Sequence, residues 1–561
     1  MKKKILLFAI PIFILCSLFF TMQLEIRQSS LLPNVNILKE SGKENEQNFQ
    51  NSIPVVSNIQ TTLMPLINAV KITYDLYDAD SDPMRVTLRI SNDSGKTFLY
   101  LCDSVTGDVG YPVYSGYQKQ IYWYFTTTPV MLKAKIIADD MQPMDISGIV
   151  NQIDSNKLKE NLLFIEGIRH RTAGVQQLQR VKDSIYARFL RYNLQTSIQN
   201  FNYSGYNAQN FIGRLPGTIY EDTTYIIDGH FETVSISPGA DDNGTAVAAF
   251  LEIARILSNY NFRNTIKFIG FDLEESGLVG SQKYVAEGIP FYEKIAGVYN
   301  FEMIGYYCDT PNCQSMPTGF CTLFPDLCDS ANAQQNKGNF ILNTANVYSN
   351  SLRYHFDSCA RLYVPQLRVL SLSTPGNGQT TPFLRRSDHA PFWDAGYKAL
   401  MLTDGAEYRN YNYHTPGDTV GTLNIRFMTN VVKATVASVI NIAGVRHSGF
   451  GISDFFTVGI NIINTEIPYK FELFQNYPNP FNPTTNIRFS IPIDSRFLGN
   501  YNVILKVYDI LGKEVTTLVN ESLTPGTYEV KFDGSGLSSG VYFYQLNTSD
   551  FKDVKSMLLI K

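Results

Sequence analysis

The chain alternates between helix-like and strand-like patterns from about residue 145 to residue 447, and this alternation constrains its fold more than any other feature. Residues 158–194 and 245–257 carry apolar side chains at helical spacing. Short apolar runs typical of buried strands lie between and after them, at residues 224–229, 265–271, 295–300 and 398–403. Strands that alternate with helices predict an α/β domain over 144–447, with a mostly parallel, mixed central sheet that helices cover on both faces.

The segments on either side of this domain have the short, alternating runs of β-strands. Residues 70–76 and 84–90 alternate in this way and are separated by Asp, Ser and Pro turns, which predicts a small β-sandwich over 51–143. Residues 501–508 and 527–532 alternate similarly and predict a second all-β sandwich over 471–561. With 561 residues the chain is too long for one core, so we expect three domains, joined by linkers at 23–50 and 448–470.

The first residues predict export. Three lysines at positions 2–4 precede an apolar run over 5–20, the pattern of a Sec signal peptide, which we assign to residues 1–22. No clean small-x-small cleavage site follows, and the apolar run approaches membrane-spanning length, so an uncleaved anchor stays open. The large Leu15 before Cys16 disfavours a lipoprotein signal. With a cleaved signal, contact with a membrane would be transient and limited to export.

Composition restricts the partners and the cysteine chemistry. A formal net charge of −4 argues against a nucleic-acid partner. Beyond the predicted signal peptide the chain has six cysteines, and four of them fall between residues 308 and 328. In an exported protein this cluster predicts disulfides that staple a long loop, although the sequence leaves their pairing open. A structural zinc knuckle is the alternative, but its usual Cys-x-x-Cys pairs are missing.

Acidic residues and histidines follow the predicted strands of the α/β domain. Because ligands of open α/β sheets bind beyond the carboxyl ends of the strands, we expect these side chains to converge. So many carboxylates would repel one another without a cation, and a mixed His, Asp and Glu set suits zinc. Taken singly, each has a plainer explanation as a surface turn or a helix cap, and their joint occurrence in order favours a site. The candidate residues are His230, Glu232, Asp241, Asp242, Glu274, Glu275, Glu302 and His414.

These residues stand in motifs that resemble those of the bimetallic zinc aminopeptidases. That family is family 28 of the clan MH metallopeptidases, and it includes glutamate carboxypeptidase and the glutaminyl cyclases. The resemblance implies an aminopeptidase-like α/β fold and one or two zinc ions (Zn²⁺) per chain, with two favoured. The motifs occur in order at 229–232 (GHFE), 238–244 (PGADDNG), 271–281 (FDLEESGLVGS), 387–397 (SDHAPFWDAGY) and 413–419 (YHTPGDT).

The resemblance assigns a role to each matched position. Asp242 would bridge two zinc ions, with His230 and Glu302 completing one site. Glu275 and His414 would complete the other. Glu274 would be the general base that takes a proton from a metal-activated water, and Tyr413 would donate a hydrogen bond to the oxyanion. Glu232 would hydrogen-bond the His230 ring. The residues that would support the metal ligands are Asp388, His389 and Asp418.

Two positions depart from the family's pattern. Glu232 stands where the family has the Asp of His-x-Asp, and Glu302 stands where it has a metal-binding Asp. Each side chain is one methylene longer and keeps its charge. We therefore expect the site of His230 and Glu302 to bind metal more weakly than the site of Glu275 and His414.

The favoured function is an exported zinc metallopeptidase, specifically an aminopeptidase that releases N-terminal residues from peptide or protein substrates. A glutaminyl cyclase-like acyl transferase is one alternative, since the family's cyclases use a single zinc. A metal-poor, non-catalytic binding module is the other, if the Glu substitutions abolish metal binding. The retained Glu274, Glu275, Asp242 and His414 argue against that module.

The C-terminal segment carries a separate resemblance. It is similar to the C-terminal sorting domain of type IX secretion substrates. This resemblance implies that the type IX machinery is a partner, and that the protein crosses a Gram-negative outer membrane to the cell surface or the medium. The motifs lie at 474–485 (FQNYPNPFNPTT), 507–515 (VYDILGKEV) and 539–544 (SGVYFY).

Overall fold

The computed structural model describes one unit, residues 51–561, and leaves residues 1–50 as a separate unit outside the description. The predicted signal peptide and first linker therefore lie outside the described residues. No helix in the described part of the chain is long and apolar enough to span a membrane. Within 51–561 the positions outside the description are 65–68, 103, 126–130, 455, 458–460, 465–469, 493–500, 524–525 and 549–550.

The N-terminal part forms antiparallel sheets. One sheet has the order β1-β2-β7-β5, and another places β8 beside β3, which also pairs with β4 and β6. Apolar side chains that alternate along these strands, such as Ile72, Leu88 and Ile136, are buried together in one cluster. The strands are β1 (Val55–Met64), β2 (Ala69–Tyr77), β3 (Met84–Ser91), β4 (Tyr100–Leu101), β5 (Val105–Gly107), β6 (Gly110–Val113), β7 (Gly116–Tyr124) and β8 (Met131–Asp139).

The α/β part follows, and it contains both predicted helical stretches together with further helices that the pattern did not predict. The helical pattern over 158–194 is two helices, because the chain breaks at 166–174, where Gly167 has φ +130°. The helices are α1 (Ile146–Asn151), α2 (Ser155–Ile165), α3 (Val175–Arg191), α4 (Thr245–Leu257), α5 (Val279–Lys283), α6 (Phe320–Leu323), α7 (Pro325–Asn332), α8 (Asn350–Tyr363), α9 (His389–Asp394) and α10 (Ile425–Ala443).

The central sheet has eight strands in the order β16-β15-β17-β14-β11-β13-β10-β9. Its middle strands β14, β11 and β13 pair in parallel, as do β14 with β17 and β15 with β16. The pairs β9–β10, β10–β13 and β15–β17 are antiparallel, so the sheet is mixed as predicted. The eight strands are β9 (Gln195–Tyr203), β10 (Tyr206–Leu215), β11 (Tyr220–His230), β13 (Asn264–Phe271), β14 (Lys294–Phe301), β15 (Ile341–Asn346), β16 (Val369–Thr374) and β17 (Ala399–Thr403). A separate two-stranded sheet consists of β12 (Asn261–Phe262) and β18 (Val445–Arg446).

Both faces of this sheet are covered. Helix α4 is apolar on nearly all sides, and every residue in it except Arg255 is buried, as expected for a helix enclosed by other elements. It contacts β11 and β13 as well as α2 and α10. On the other face, Phe392 and Trp393 of α9 pack with Ile226 and Val298 of the sheet. Because α4 is packed on all sides, the start of this helix fixes the position of the turn that precedes it, Ala240–Gly244.

Part of the segment predicted as a linker at 448–470 is strand. β19 (Ser448–Ile452) and β20 (Phe456–Thr457) pair with β8 and so extend the N-terminal sheet. A Cβ at Gly449 would lie 1.7 Å from the carbonyl oxygen of Pro54, so glycine allows a close approach there. Pairing with a strand that is distant in sequence has little effect on local composition. The sequence pattern therefore did not predict these two strands.

The C-terminal part consists of two four-stranded antiparallel sheets, ordered β21-β26-β23-β22 and β25-β24-β27-β28. Their inward side chains, including Phe489, Val503 and Tyr544, form one buried cluster. The strands are β21 (Asn461–Asn464), β22 (Glu472–Leu473), β23 (Thr484–Ile491), β24 (Tyr501–Tyr508), β25 (Glu514–Leu523), β26 (Gly526–Asp533), β27 (Gly540–Asn547) and β28 (Lys552–Leu559).

The clustered cysteines staple the long connection between β14 and β15, as expected. Cys308 pairs with Cys313, and Cys321 pairs with Cys328. Both bridges close short loops within residues 302–340, which otherwise contain only the short helices α6 and α7. The disulfides therefore give shape to a segment that has little regular structure of its own.

Candidate metal centre

The predicted ligands lie at one edge of the central sheet. His230 is the last residue of β11, Glu274 and Glu275 follow β13, and Glu302 follows β14 directly. His414 lies in the loop after β17. Because β17, β14, β11 and β13 are parallel neighbours, their carboxyl ends meet at the same edge. The fold thus brings together residues that are far apart in sequence.

Two groups of side chains could each hold a metal ion. The ligand atoms of His230, Glu274 and Glu302 all lie within 4.8 Å of one another, and so do those of Asp242, Glu275 and His414. In the first group, His230 Nε2 lies 3.6 Å from Glu302 Oε2 and 3.8 Å from Glu274 Oε2. In the second, His414 Nε2 lies 3.2 Å from Glu275 Oε1.

Asp242 lies between the two groups. Its Oδ1 is 3.3 Å from His230 Nε2, and its Oδ2 is 3.0 Å from His414 Nε2. Asp242 is in the turn Ala240–Gly244 immediately before α4, and its peptide bond to Asn243 is cis. One carboxylate that offers one oxygen to each histidine has the arrangement of a bridging ligand.

The buried donor atoms fit a cation. His230 Nε2, His414 Nε2 and Glu275 Oε1 are buried and lack a hydrogen-bond partner among the described residues. Buried polar atoms are normally hydrogen-bonded, so these unpartnered atoms call for a ligand. Zinc binds His nitrogen and carboxylate oxygen at ~2.0–2.2 Å, so donor atoms 3–4 Å apart can share one ion. The residues present therefore fit zinc.

The protein alone stabilises the charges of this cluster poorly. Burial, together with the neighbouring carboxylates, raises the pKa of Glu274 well above its usual range. Burial and the Asp242 carboxylate likewise raise the pKa of Glu275 to about 7. Burial alone would lower the pKa of His414, but Asp242 and Glu275 raise it to about 10. The cluster thus favours added positive charge, which a divalent cation would supply.

Glu232 contacts both groups, but not in the way the sequence predicts. Its Oε1 accepts a hydrogen bond of 2.9 Å from the backbone N–H of Glu275. Its Oε2 lies 3.7 Å from Nδ1 of His230, which is closer, at 3.2 Å, to the backbone carbonyl of Glu232 itself. The expected carboxylate–imidazole hydrogen bond is therefore replaced by a backbone contact, because the carboxylate binds the next loop instead.

Further residues hold the ligands in place. The Asp418 carboxylate accepts hydrogen bonds from the N–H groups of Asp241 (2.9 Å) and Asp242 (3.1 Å). Ser387 Oγ donates to Glu302 Oε2 at 2.6 Å. His389 is buried away from the ligands, with Nε2 2.9 Å from the carbonyl of Leu384.

The sequence pattern does not single out Ser387, although Ser387 begins one of the motifs that carry the resemblance. It also missed Arg386, which donates to the Tyr413 hydroxyl at 3.0 Å. The ring of Tyr413 stacks on His414 with centroids 3.8 Å apart. Serine and arginine are common residue types, so nothing in the local sequence distinguishes Ser387 and Arg386 from other serines and arginines. Only the folded contacts identify them.

A cavity of about 80 Å³ opens beside the first group and reaches Glu302 and Tyr413. Arg386, Glu407 and Tyr408 are polar residues of its wall. The loop between β14 and β15 supplies part of the wall, next to the Cys321–Cys328 bridge. The apolar residues that line the cavity are Met316, Pro317, Phe320, Leu342, Phe383, Leu384, Met401 and Ala406.

Comparisons with known proteins identify the families that the chain resembles. The chain matches the model of peptidase family M28 over residues 210–348 and 327–439, and the secretion system C-terminal sorting domain over 475–561. It is 32% identical over 231 residues to the Escherichia coli protein named Uncharacterized protein YfbL, covering 38% of this chain and 66% of that protein. It is 30% identical over 217 residues to Leupeptin-inactivating enzyme 1 of Streptomyces exfoliatus, covering 38% and 40%.

A third relative is Aminopeptidase YwaD of Bacillus subtilis, 28% identical over 223 residues, covering 39% of this chain and 41% of that protein. The chain spans between about two fifths and two thirds of the length of these relatives. The family matches fall on the α/β sheet and on the C-terminal strands. The chain therefore belongs to peptidase family M28 through its central domain, and it ends in a secretion system C-terminal sorting domain.

Proposed function

We propose that this protein is an exported zinc aminopeptidase that removes N-terminal residues from peptides. The observation that carries the proposal is the position of Asp242, which offers one carboxylate oxygen to His230 and the other to His414. Asp242 would complete one ion's ligands with His230 and Glu302, and the other's with Glu275 and His414. Glu274, 3.8 Å from His230 Nε2, would then act as a base rather than as a ligand. Several relatives of the chain are named aminopeptidases, which supports the same class. Two groups that share a bridging carboxylate favour two zinc ions per chain.

Glu274 is the general base. When bound, zinc would polarise the scissile carbonyl and make water more acidic. Among the described residues no hydrogen bond occupies the Glu274 carboxylate, and its side chain is 11% exposed. Glu274 can therefore take the proton of the attacking water and deliver it to the leaving amine.

Tyr413 stabilises the negative charge that develops on the carbonyl oxygen. Its hydroxyl accepts a hydrogen bond from Arg386, so its own proton is free to donate elsewhere. Burial raises the pKa of Tyr413, so the hydroxyl remains protonated at neutral pH. A protonated phenol held beside the reacting group is suited to donate to an oxyanion.

The cavity beside Glu302 accommodates the side chain of the N-terminal residue. Its wall is largely apolar, with Met316, Phe320 and Met401 among the lining residues. Burying an aliphatic side chain contributes about 1.5–3 kcal/mol, so leucine should be preferred to alanine at the N-terminus by at least about tenfold. The substrate class is thus peptides with an apolar N-terminal residue.

The C-terminal domain directs the enzyme out of the cell. Its match to a secretion system sorting domain supports transport by the type IX machinery, following entry into the periplasm through a Sec signal at residues 1–22. The peptides that reach the enzyme would then be those at the cell surface or in the medium.

The experiment combines metal analysis with a substrate panel. The purified protein should contain two zinc ions and hydrolyse leucine p-nitroanilide faster than the alanine compound, and it should leave N-acetyl-leucine p-nitroanilide intact. Glu274→Gln, prepared in parallel, is the matched control for a contaminating peptidase. Cleavage of the blocked substrate would contradict an aminopeptidase. Pyroglutamate formed from a glutaminyl peptide would favour the acyl transferase, and absence of zinc would favour the binding module.

A further inference from the structure

Arg169 is a buried arginine in the loop between α2 and α3, and it is 0% exposed. All of its guanidinium hydrogen bonds go to backbone carbonyl oxygens. The five bonds are Nε to Phe231 (2.6 Å), Nη1 to Ile165 (3.0 Å), Gly167 (3.1 Å) and Pro238 (2.9 Å), and Nη2 to Gly239 (2.8 Å). A guanidinium with this many carbonyl partners fixes the relative positions of the segments that it contacts.

Two of those segments carry metal ligands. Phe231 lies between His230 and Glu232, so one bond holds the end of β11. Pro238 and Gly239 open the turn that leads to Asp242, so two more bonds hold that turn. The guanidinium therefore ties a histidine of one metal group to the bridging carboxylate.

The backbone around Arg169 strengthens this connection. The N–H of Arg169 donates to Thr233 Oγ1 at 2.9 Å, and the N–H of Thr233 donates to the carbonyl of Arg169 at 3.1 Å. Gly239 has φ +61°, and a Cβ there would lie 2.9 Å from Arg169 Nη2 and 2.4 Å from the carbonyl oxygen of Asp242. The turn is therefore packed closely on the guanidinium.

The positive charge of Arg169 lies near the carboxylates of the candidate metal centre but forms no direct ion pair with them in the described part of the chain. Within the described ranges no carboxylate comes within 4.0 Å of its nitrogens, yet Asp418, Asp242 and Glu232 are near enough to act on it. Burial lowers the pKa of Arg169 to about 10, so the group stays charged at neutral pH. A fixed positive charge beside several carboxylates reduces their mutual repulsion.

We propose that Arg169 is a positioning residue that sets the spacing of His230 and Asp242 and thereby the affinity of the site for zinc. The inference rests on the proposed zinc site, because it concerns how the protein holds that site. Arg169 contacts neither the substrate nor the reacting atoms. Its effect passes through the two backbone segments that it joins.

The test is Arg169→Lys, with zinc affinity measured by competition with a chromophoric chelator. Lysine keeps the positive charge but has only three N–H donors and no planar guanidinium group, so it cannot donate hydrogen bonds to five carbonyl oxygens on three segments. Residues that orient metal ligands typically contribute ~10–100-fold to metal affinity, and we expect a loss of this size for both zinc ions, since Asp242 is shared. The melting temperature of the zinc-free protein is measured alongside.

The matched control is Arg89→Lys. Arg89 is also buried, at 6% exposure, and donates to the backbone carbonyls of Leu99 and Ile219, away from the ligands. Arg89→Lys should lower the melting temperature yet keep wild-type zinc affinity. If Arg169→Lys also keeps wild-type affinity for both ions, the inference is overturned while the proposed function stands. A wild-type protein that binds no zinc would instead overturn the proposed function.

A second variant separates hydrogen bonding from loss of stability. Arg169→Ala leaves a polar cavity, and added methylguanidinium should restore part of the zinc affinity. Urea, which is planar and uncharged, should restore less at the same concentration. Rescue by methylguanidinium supports a positioning role that needs both the charge and the fork. Equal recovery with urea, or no recovery in a folded variant, would contradict it.

Discussion

We predict that the hydroxyl of Ser387 determines how well Glu302 serves as the proposed metal ligand. Ser387 Oγ donates to Glu302 Oε2 at 2.6 Å, and both residues are buried. Glu302 Oε2 is also the oxygen that lies 3.6 Å from His230 Nε2. Ser387 therefore orients the very oxygen that faces the metal position. We predict that Ser387→Ala weakens zinc binding in the group of His230 and Glu302 and spares the group of Glu275 and His414.

The magnitude follows from the type of hydrogen bond. A short bond from a hydroxyl to a carboxylate is charge-assisted. Hydrogen bonds to charged groups contribute about 1.5–3 kcal/mol, which corresponds to about 10–150-fold in affinity. Asn243 Nδ2 also donates to Glu302 Oε2, but at 3.4 Å it is too distant to replace the hydroxyl. The loss should therefore lie within that range.

A chelator titration with two resolved steps measures this effect. In the wild type, the ion of His230 and Glu302 should leave first, and Ser387→Ala should move only that step. Ser438→Ala is the control, because Ser438 is equally buried and its hydroxyl bonds Tyr299 rather than a ligand. Simultaneous loss of both ions in the wild type, or a shift confined to the step of His414, would refute the reasoning.

Three further predictions concern catalysis, export and the disulfides. Glu274→Gln should lower kcat by about two to four orders of magnitude and leave the zinc content unchanged, because it removes a base and keeps the ligands; a near-normal rate, measured with leucine p-nitroanilide, would exclude Glu274 as the base. Deleting residues 471–561 should leave the purified enzyme active but retain it in the periplasm of a type IX-competent host, as cell fractionation would show; full secretion would disprove the sorting role. Replacing Cys321 and Cys328 by serine should raise KM for leucine substrates more than for alanine substrates, because the loop between β14 and β15, which this disulfide staples, lines part of the apolar cavity. An equal change in KM for both substrates would contradict a role of that loop in selecting the N-terminal side chain.

The sequence predicts the layout of the central domain because helix and strand periods are local properties. Residues 245–257 show a helical period and form α4, and the apolar runs that precede the acidic motifs form β11, β13 and β14. The convergence of His230, Glu275 and Glu302 follows from parallel pairing, which places strand ends at one edge. The convergence of these side chains at one edge of the sheet could therefore be predicted from the sequence.

Contacts between distant segments could not be predicted in this way. The bond from Ser387 to Glu302 joins residues 85 positions apart, and the bonds of Arg169 depend on a break at 166–174 that the helical period conceals. The pairing of β19 with β8 depends likewise on where the chain returns after α10. In each case tertiary packing determines which residue is the partner, and the residues nearby in sequence do not indicate which one it is.

The two carboxylates that depart from the family's pattern, Glu232 and Glu302, each accept a hydrogen bond from a neighbouring segment. Glu232 reaches the N–H of Glu275 at 2.9 Å and so joins the loop of one metal group to the histidine of the other. Glu302 meets the hydroxyl of Ser387, which fixes one carboxylate oxygen toward His230. An extra methylene adds a rotatable bond, and each hydrogen bond removes the freedom that this bond would give. The longer side chains can therefore remain precise ligands or supports, provided that their donors are kept. We therefore expect the hydrogen-bond donors, rather than the length of the acids alone, to determine how unequal the two metal affinities are.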